Sequence, residues 1–295
     1  MSMRIAVAGS SGFVGSALVP ALVASGHTVV RLARGIPDPR ALDGVDGVVN
    51  LAGESVDERW SADRKRRIRS SRVETTDRLA RAMAALSPRP SVFVSASAVG
   101  IYGNRHDEAL DETSAPGTGF LAEVGQAWEA AADPARQAGI RTVHARLGMI
   151  LAAHGGGLAK MLPPFKMGAG GKIASGAQWM SWIALDDVVE ALIFALGTAA
   201  LVGPANYTAP NPVTNAEFTH ALGVTLHRPT VATIPPFALK LAFGEMADEV
   251  LIAGQRVYPR ALERAGYAFR YAQLADALRA ALSRRPPDQS AKTTF

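Results

Sequence analysis

The chemistry of this chain begins at three glycines spaced three apart, Gly9, Gly12 and Gly15, with Ser10, Ser11, Phe13 and Val14 between them. Glycines at this spacing suit a phosphate. The first permits a tight turn, the second lets a pyrophosphate approach the backbone, and the third lets a helix pack closely on a strand. Their flanks supply the context such a loop needs. Arg4-Ile-Ala-Val-Ala8 is a short apolar strand, and Ser16 to Ser25 reads as an apolar helix whose first N–H groups face an anion. The second chemical feature is Arg34. His27 to Ala33 reads as another strand, and it ends Arg31-Leu-Ala-Arg34 without a carboxylate. An NAD site places Asp or Glu there to hold the ribose hydroxyls, whereas an NADP(H) site omits the acid and supplies an arginine for the 2′-phosphate. The chain end of this strand therefore points to NADP(H), with Arg34 as the clamp and Arg31 turned away by strand alternation.

These residues need a parallel sheet to hold them. Apolar runs at Val45 to Ala52, Ser91 to Ser95 and Arg141 to Leu147 alternate with helical stretches, the pattern of a sheet covered on both faces. Segment 34–44, with Pro37 and Pro39, is too short for a helix, a strand and a return, so one edge strand is expected to be missing. After Leu147 the texture changes to Gly155-Gly-Gly157, Leu162-Pro-Pro164, Gly168-Ala-Gly-Gly171 and Pro204 to Pro212, which read as loops of a second lobe. No Lys-Ser or Lys-Thr pair turns these glycines into a second phosphate loop; a mobile lid is the expectation. Pro235 to Gly244 and Tyr267 to Leu282 read as amphipathic helices that pack on the lobe or on another subunit, which leaves a homodimer open. The expected organisation is a dinucleotide domain over 1–150, a smaller C-terminal substrate lobe over 151–282 with its own segment at 235–282, and a disordered tail over 283–295.

Composition narrows the classes of function. A chain of 295 residues with 48% hydrophobic content can bury one large core and a smaller one. It has no cysteine, which removes disulfide and thiol chemistry and points to a reducing, cytoplasmic setting. The first apolar segment is interrupted by glycines and does not read as a signal peptide. The apolar run Ala184 to Leu196 carries Asp186, Asp187 and Glu190, so no membrane span is expected. The net charge of +5 is concentrated at Arg59, Arg64, Lys65, Arg66, Arg67, Arg69 and Arg72. Without an aromatic platform this reads as a solvated helix with one or two arginines turned inward toward cofactor phosphates, and not as a nucleic-acid face. The six histidines, His27, His106, His144, His154, His220 and His227, form no metal-ligand spacing, and no metal is expected.

Several longer strings carry a resemblance. They are Val7 to Gly15, Gly47-Val-Val-Asn-Leu-Ala-Gly-Glu54, Arg59-Trp60, Ser70-Ser-Arg72, Ser95-Ala-Ser-Ala-Val-Gly-Ile-Tyr-Gly103, Trp128-Glu129, Met161 to Phe165, Trp182 to Asp187 and Gly254 to Pro259. Together they resemble the extended short-chain dehydrogenase/reductases, in the epimerase-like group that ends in a small domain of unknown function. The resemblance implies an α/β fold: a Rossmann-type, doubly wound parallel sheet with a smaller C-terminal lobe. It implies NADP(H), with Leu51, Ala52 and Gly53 on the adenosine side and Ser95 and Leu147 near the nicotinamide. It also implies a Ser, Tyr and Lys for proton and hydride exchange, and Ser97 stands at the family's serine position.

The chain departs from this family at the tyrosine and the lysine. The helix that should open Tyr-x-x-x-Lys begins Gly119-Phe-Leu-Ala-Glu-Val124, which leaves Phe120 and Val124 at the two positions. Neither side chain can move a proton. Tyr102, after the Ser97 strand end, is the candidate replacement acid, with Glu123 as another and Lys160 and Lys166 as anion binders. Asp186 and Asp187 are expected to cap a helix. Two functions remain: hydride transfer between NADP(H) and a small carbonyl, polyol or nucleotide-sugar-like substrate at a non-standard active site, or NADP(H) binding without turnover in a sensor or interaction protein.

Overall fold

The computed structural model describes residues 2–33 and 39–283. At its centre lies a six-stranded sheet of β1 (Arg4–Ala8), β2 (Thr28–Leu32), β3 (Gly47–Asn50), β4 (Val92–Ala98), β5 (Arg141–Leu147) and β6 (Gly203–Tyr207). The order is β6-β5-β4-β3-β1-β2, and every neighbouring pair is parallel. Parallel strands cannot be joined by tight turns, so helices carry the crossovers. These are α1 (Phe13–Ala24) after β1, α2 (Ala62–Ala84) after β3 and α3 (Phe120–Ala130) after β4; α4 (Gly156–Lys166) lies in the lobe, and α5 (Leu185–Gly197) leads back to β6. On one face Leu18 and Leu22 of α1 and Val188 and Leu192 of α5 pack against Ile5, Val7, Val94 and Val143. On the other, Leu79 and Met83 of α2 pack against Ala6, Val48 and Phe93. Each such buried side chain contributes roughly 1.5–3 kcal/mol, and the two layers enclose the central strands completely.

The winding fixes where a ligand can go. From β1 the chain moves outward to β2 and then returns on the other side of β1 to form β3. The C-terminal ends of β1 and β3 therefore flank the switch point, where open α/β sheets keep their ligand crevice. The doubly wound parallel sheet expected from the sequence is present, and no strand lies beyond β2 among the described residues. Two loop readings are corrected: Gly155-Gly-Gly157 and Leu162-Pro-Pro164 fall at the start of and inside the helix α4, and Pro204 to Pro212 is not all loop, because β6 occupies Gly203–Tyr207. Gly203-Pro-Ala-Asn lacks β-branched residues, and a proline is tolerated because β6 is an outer strand with, among the described residues, a neighbour on one side only.

The lobe is built from α4, α6 (Asn215–Leu226), α7 (Pro236–Phe243) and α8 (Leu274–Ser283), with short strand pairs such as Met149–Leu151 beside Trp182–Ala184. Its core gathers Leu158, Leu162, Phe165, Trp182, Phe218, Leu222, Leu274 and Leu278. Thr214 and Glu217 open α6 with a capping box. Of the two amphipathic stretches read from the sequence, α8 buries Leu274, Ala277 and Leu278, whereas α7 buries no residue. Ser283, the first residue of the expected tail 283–295, belongs to helix α8, and residues 284–295 lie outside the described residues.

The acidic pair at the start of α5 also differs from expectation. The residue before the helix is Ala184, and no side chain caps it. The buried Asp187 carboxylate instead accepts the backbone N–H groups of Arg270 (2.7 Å) and Tyr271 (3.0 Å) and the Tyr267 hydroxyl (3.2 Å). Burial pushes this carboxyl up and the three bonds oppose the rise. It ties the C-terminal segment to the sheet domain. Asp187→Ala would leave buried donors without an acceptor and is expected to lower unfolding free energy by about 1–3 kcal/mol, read by denaturant titration.

Candidate functional site

At the end of β1 the backbone turns through Gly9 with φ +75°, a conformation costly for other residues. The turn is also crowded: a Cβ on Gly9 would stand 2.8 Å from the Leu51 carbonyl, and one on Gly15 would stand 2.1 Å from the Gly9 oxygen. These contacts draw α1 against β1 and press the loop onto the strand end of β3. Gly12 precedes α1 without any side-chain cap, so among the described residues the first N–H groups of the helix have no side-chain acceptor. Ser11 and Gly12 are exposed, Ser10 is buried, and Val14 turns into the core, leaving its backbone as its contribution to the loop. Phe13 reaches toward the lobe, where its ring lies edge-on to His154 and fills the place a Cβ on Gly155 would need.

The second wall follows β3. Leu51, Ala52 and Gly53 leave the strand with Leu51 N–H on the Ala8 carbonyl (3.0 Å) and Ala52 N–H on Asn50 Oδ1 (3.2 Å). Asn50 Nδ2 donates to Thr76 Oγ1 (2.8 Å), and the indole N–H of Trp128 donates to the same oxygen (2.9 Å). One buried hydroxyl thus locks β3, α2 and α3 together. Beside Gly53 lies Arg72, its guanidinium 5.1 Å over the Trp128 ring. Arg34 is outside the described residues.

The floor of the crevice is a row of polar side chains at matched register. Ser97, Arg146 and Asn206 are neighbours on β4, β5 and β6. Ser97 Oγ donates to Glu129 Oε1 at 2.7 Å, and Arg146 grips both oxygens of Glu129 at 2.7 and 2.8 Å. A further N–H of Arg146 donates to the Tyr102 hydroxyl, which donates in turn to Asn206 Oδ1, each at 2.8 Å. Burial raises the Glu129 carboxyl, but the bonds and charge of Arg146 outweigh it and hold the group below the usual carboxylate range. Burial keeps the Tyr102 phenol above its ordinary value, and it depresses His144 next to the pair. Ser97 is 1% exposed and Tyr102 0%, so the hydroxyls that sequence reasoning put forward for catalysis are engaged inside this ladder. Ser95 is equally enclosed, and Leu147 is partly buried at the end of β5.

Where the family's tyrosine and lysine would stand, Phe120 begins α3 and Val124 is buried. Trp60 stacks edge-on against Phe120 at 5.0 Å, and the Lys65 ammonium lies 4.6 Å over the same ring. The C-terminal segment closes this corner. Glu249 accepts the N–H groups of Phe120 and Leu121, both at 2.8 Å, and Glu245 pairs with Lys65 at 2.7 Å. Sequence reasoning missed Lys65 and Glu249, because their contacts with Phe120 span 55 and 129 residues and no short motif contains them. Glu123 is exposed, Lys160 is paired with Asp57 at 2.7 Å, and Lys166 is exposed at the end of α4. The basic run is not one helix: Arg59 precedes Ser61, the N-cap of α2, and donates to carbonyls of α7.

A glycine turn at the switch point, a helix N-terminus without a cap and a polar floor define a dinucleotide-binding doubly wound protein. Residues 5–208 match the model of the NAD dependent epimerase/dehydratase family, and residues 234–281 match a domain of unknown function, DUF1731. The chain belongs to the NAD dependent epimerase/dehydratase family. It is 46% identical to an epimerase family protein of Mycobacterium bovis over 95% of this chain and 98% of that one, and 38% identical to the chloroplastic SDR39U1 homolog of Arabidopsis thaliana over 94% and 86%. Human epimerase family protein SDR39U1, solved with NADPH, superposes with a TM-score of 0.88 at 33% identity, covering 96% of this chain and all of that one. A nucleoside-diphosphate sugar epimerase of Corynebacterium glutamicum gives 0.78 at 37% identity, covering 94% of this chain and 57% of that longer one.

The ladder gives the site a measurable dependence. Arg146→Met leaves the Glu129 charge buried and is expected to lower stability by about 3–5 kcal/mol, while Arg146→Met with Glu129→Leu recovers part of the loss in the same denaturant titration.

Proposed function

We propose that this protein binds NADP(H) and passes a hydride between it and a small carbonyl, polyol or nucleotide-sugar-like substrate, at an active site without Tyr-x-x-x-Lys. The observation that carries the reading is the crevice itself. Gly9 and Gly15 have no room for a Cβ, while the Gly12 face is open apart from the Gly9 oxygen at 3.2 Å, so the backbone is shaped for a phosphate at close range. The residues present fit a dinucleotide: Gly9, Ser10, Ser11, Gly12, Phe13 and Val14 form the loop, Leu51, Ala52 and Gly53 the adjoining wall, and Leu147 the end of β5 farther along, while Ser95, assigned to the nicotinamide side, stands inside β4. Arg34, which the sequence places after β2, is assigned to the 2′-phosphate. The bound cofactor supplies or accepts a hydride.

The protein's own residues divide the remaining work. Ser97 and Tyr102 serve in this reading through the ladder, which holds the ends of β4, β5 and β6 in line and keeps water from the floor. Proton exchange with the substrate is assigned to Lys65, the cation set over the ring of Phe120. The alternative, a cofactor-binding sensor without turnover, draws on one observation: both hydroxyls nominated for catalysis are enclosed.

Titration with NADPH and with NADH, followed by nicotinamide fluorescence, tests the reading. NADPH is expected to bind more tightly, and Arg34→Ala to weaken it by about tenfold or more, equivalent to about 1.4 kcal/mol, while leaving NADH unchanged. Failure of both cofactors to bind removes both functions. Binding without NADPH consumption across a panel of carbonyl and sugar-nucleotide substrates favours the sensor.

A further inference from the structure

One short stretch of the lobe, the first turn of α4, touches both walls of the crevice. The first wall is the glycine loop, which leads into Phe13; the second leaves β3 through Leu51, Ala52 and Gly53 and continues to Asp57. At the start of α4 the Phe13 ring lies against Gly155 and Gly156. A Cβ on Gly155 would run into the ring, one on Gly156 would stand 3.1 Å from it, and the ring meets His154 edge-on at 5.8 Å. One turn later Lys160 Nζ reaches Asp57, 2.7 Å from Oδ2 and 3.2 Å from the main-chain oxygen. Four residues of helix advance only about 6 Å, so the turn from Gly156 to Lys160, with the lysine stem, bridges the gap between the walls. A dinucleotide laid from the glycine loop along the second wall passes beneath this bridge.

The turn is held unequally on its two sides. Toward the lobe, Leu158 and Leu162 are buried among Phe165, Trp182 and Phe218. Toward the walls the contacts are the Phe13 ring and an ion pair whose side chains are 57% exposed at Lys160 and 34% at Asp57, which water screens and opens readily. The residues around the turn favour this division. Gly155 and Gly156 let the ring lie against the main chain, Gly156 with φ +66°. Pro163 and Pro164 have no N–H for the carbonyls of Ala159 and Lys160, so the helix does not stiffen the lysine's turn from behind. The glycine string read from the sequence as a mobile lid and the Leu-Pro-Pro string beyond it thus bracket one turn.

Resting on the NADP(H) reading above, we propose that the first turn of α4 is a strap across the crevice, released from Phe13 and Asp57 when the cofactor enters or leaves and refastened over it. Lys160 acts through its bond to Asp57 and does not touch the cofactor. The strap governs the rates of exchange and leaves affinity nearly alone. Its ion pair stands both before and after passage, so losing the pair lowers the barriers to entry and exit alike.

The test is stopped-flow binding of NADPH, followed by nicotinamide fluorescence, to wild type, Lys160→Met and Asp57→Asn. Both variants are expected to speed association and dissociation by about fivefold, the scale of an exposed ion pair, with Kd within about twofold of wild type. Simple charge steering of an anionic cofactor predicts otherwise: slower association when the lysine charge is removed and faster association when the aspartate charge is. Opposite signs in the two variants therefore overturn the proposal. So do unchanged rates in both, and so does faster dissociation alone in Lys160→Met, which would put the lysine on the cofactor. A second arm uses the absence of cysteine from the chain: protein carrying Asp57→Cys and Lys160→Cys can be closed with a short bis-methanethiosulfonate reagent and reopened with a reductant. Closure is expected to slow NADPH association by about tenfold or more, and reduction to restore it, the reopened protein serving as the control for folding. An association rate indifferent to closure overturns the strap. Wild-type protein that binds no NADPH refutes the cofactor reading before any variant is made, so the two failures are distinguishable.

Discussion

The structure depends on one close approach, that of α1 to the ends of β1 and β3. Gly15 sits against the Gly9 carbonyl and Gly9 against Leu51, at separations that leave no space for a methyl group. This packing seats the N-terminus of α1 at the switch point and sets the height of the Leu51 to Gly53 backbone beside it. The Trp128–Thr76–Asn50 bonds then bring α2 and α3 to that backbone, and with them Arg72. A helix moved outward by one methyl radius would widen the loop and uncouple the second wall from the first. Protein interiors absorb such changes poorly because they are close-packed.

Below this crevice the protein spends its buried polarity on order. A bidentate arginine–carboxylate pair is a strong contact, but taking both charges out of water costs about as much as their attraction returns. The Glu129–Arg146 pair is therefore better understood as a device that fixes geometry than as a source of net stability. Its in-register companions, Ser97 and Asn206, extend the order across three strands, and Tyr102 bridges Arg146 to Asn206. Because each hydroxyl is already engaged, the ladder defines what the floor can do: it holds shape and it resists hydration.

How much of this could be read from the chain varies with the range of the interaction. The glycine loop was legible because strand, turn and helix are contiguous, and β1 was placed at its ends because residues 5–8 are a continuous apolar run; β5 was placed at its ends as well, although Arg141, His144 and Arg146 interrupt its apolar residues. Strand β6 was not, since Gly203-Pro-Ala-Asn-Tyr carries turn residues that only an outer strand tolerates. Asp187 looked like a cap from its position before an apolar helix, yet its partners, Arg270 and Tyr271, lie more than eighty residues away. The sequence put Tyr102 at the sheet's C-terminal edge, where its loop does lie, but the direction of its hydroxyl is set by Arg146 and Asn206, which no local pattern connects to it. Phe120 and Val124 were legible as departures because the family pattern fixes their spacing.

The C-terminal segment acquires a physical role from the way it meets α3. A helix N-terminus leaves N–H groups without partners and carries a partial positive charge. Gly119 has no side chain to supply a cap, and Glu249, on the turn Ala247–Ile252, supplies both oxygens instead. The segment is also attached to α2 by Lys65–Glu245, and to the stretch before α2 by Arg59 on the carbonyls of Leu241 and Ala242. These attachments are not equal. Exposed ion pairs are screened and contribute within about 1 kcal/mol, whereas a carboxylate on two backbone donors at a helix start is charge-assisted twice and needs little side-chain ordering beyond its own. The roof is thus held firmly at α3 and loosely at α2. Any widening of the crevice would part the α2 contacts first and keep Phe120 in place, so the corner that lacks the family's tyrosine is also the corner the C-terminal segment keeps rigid.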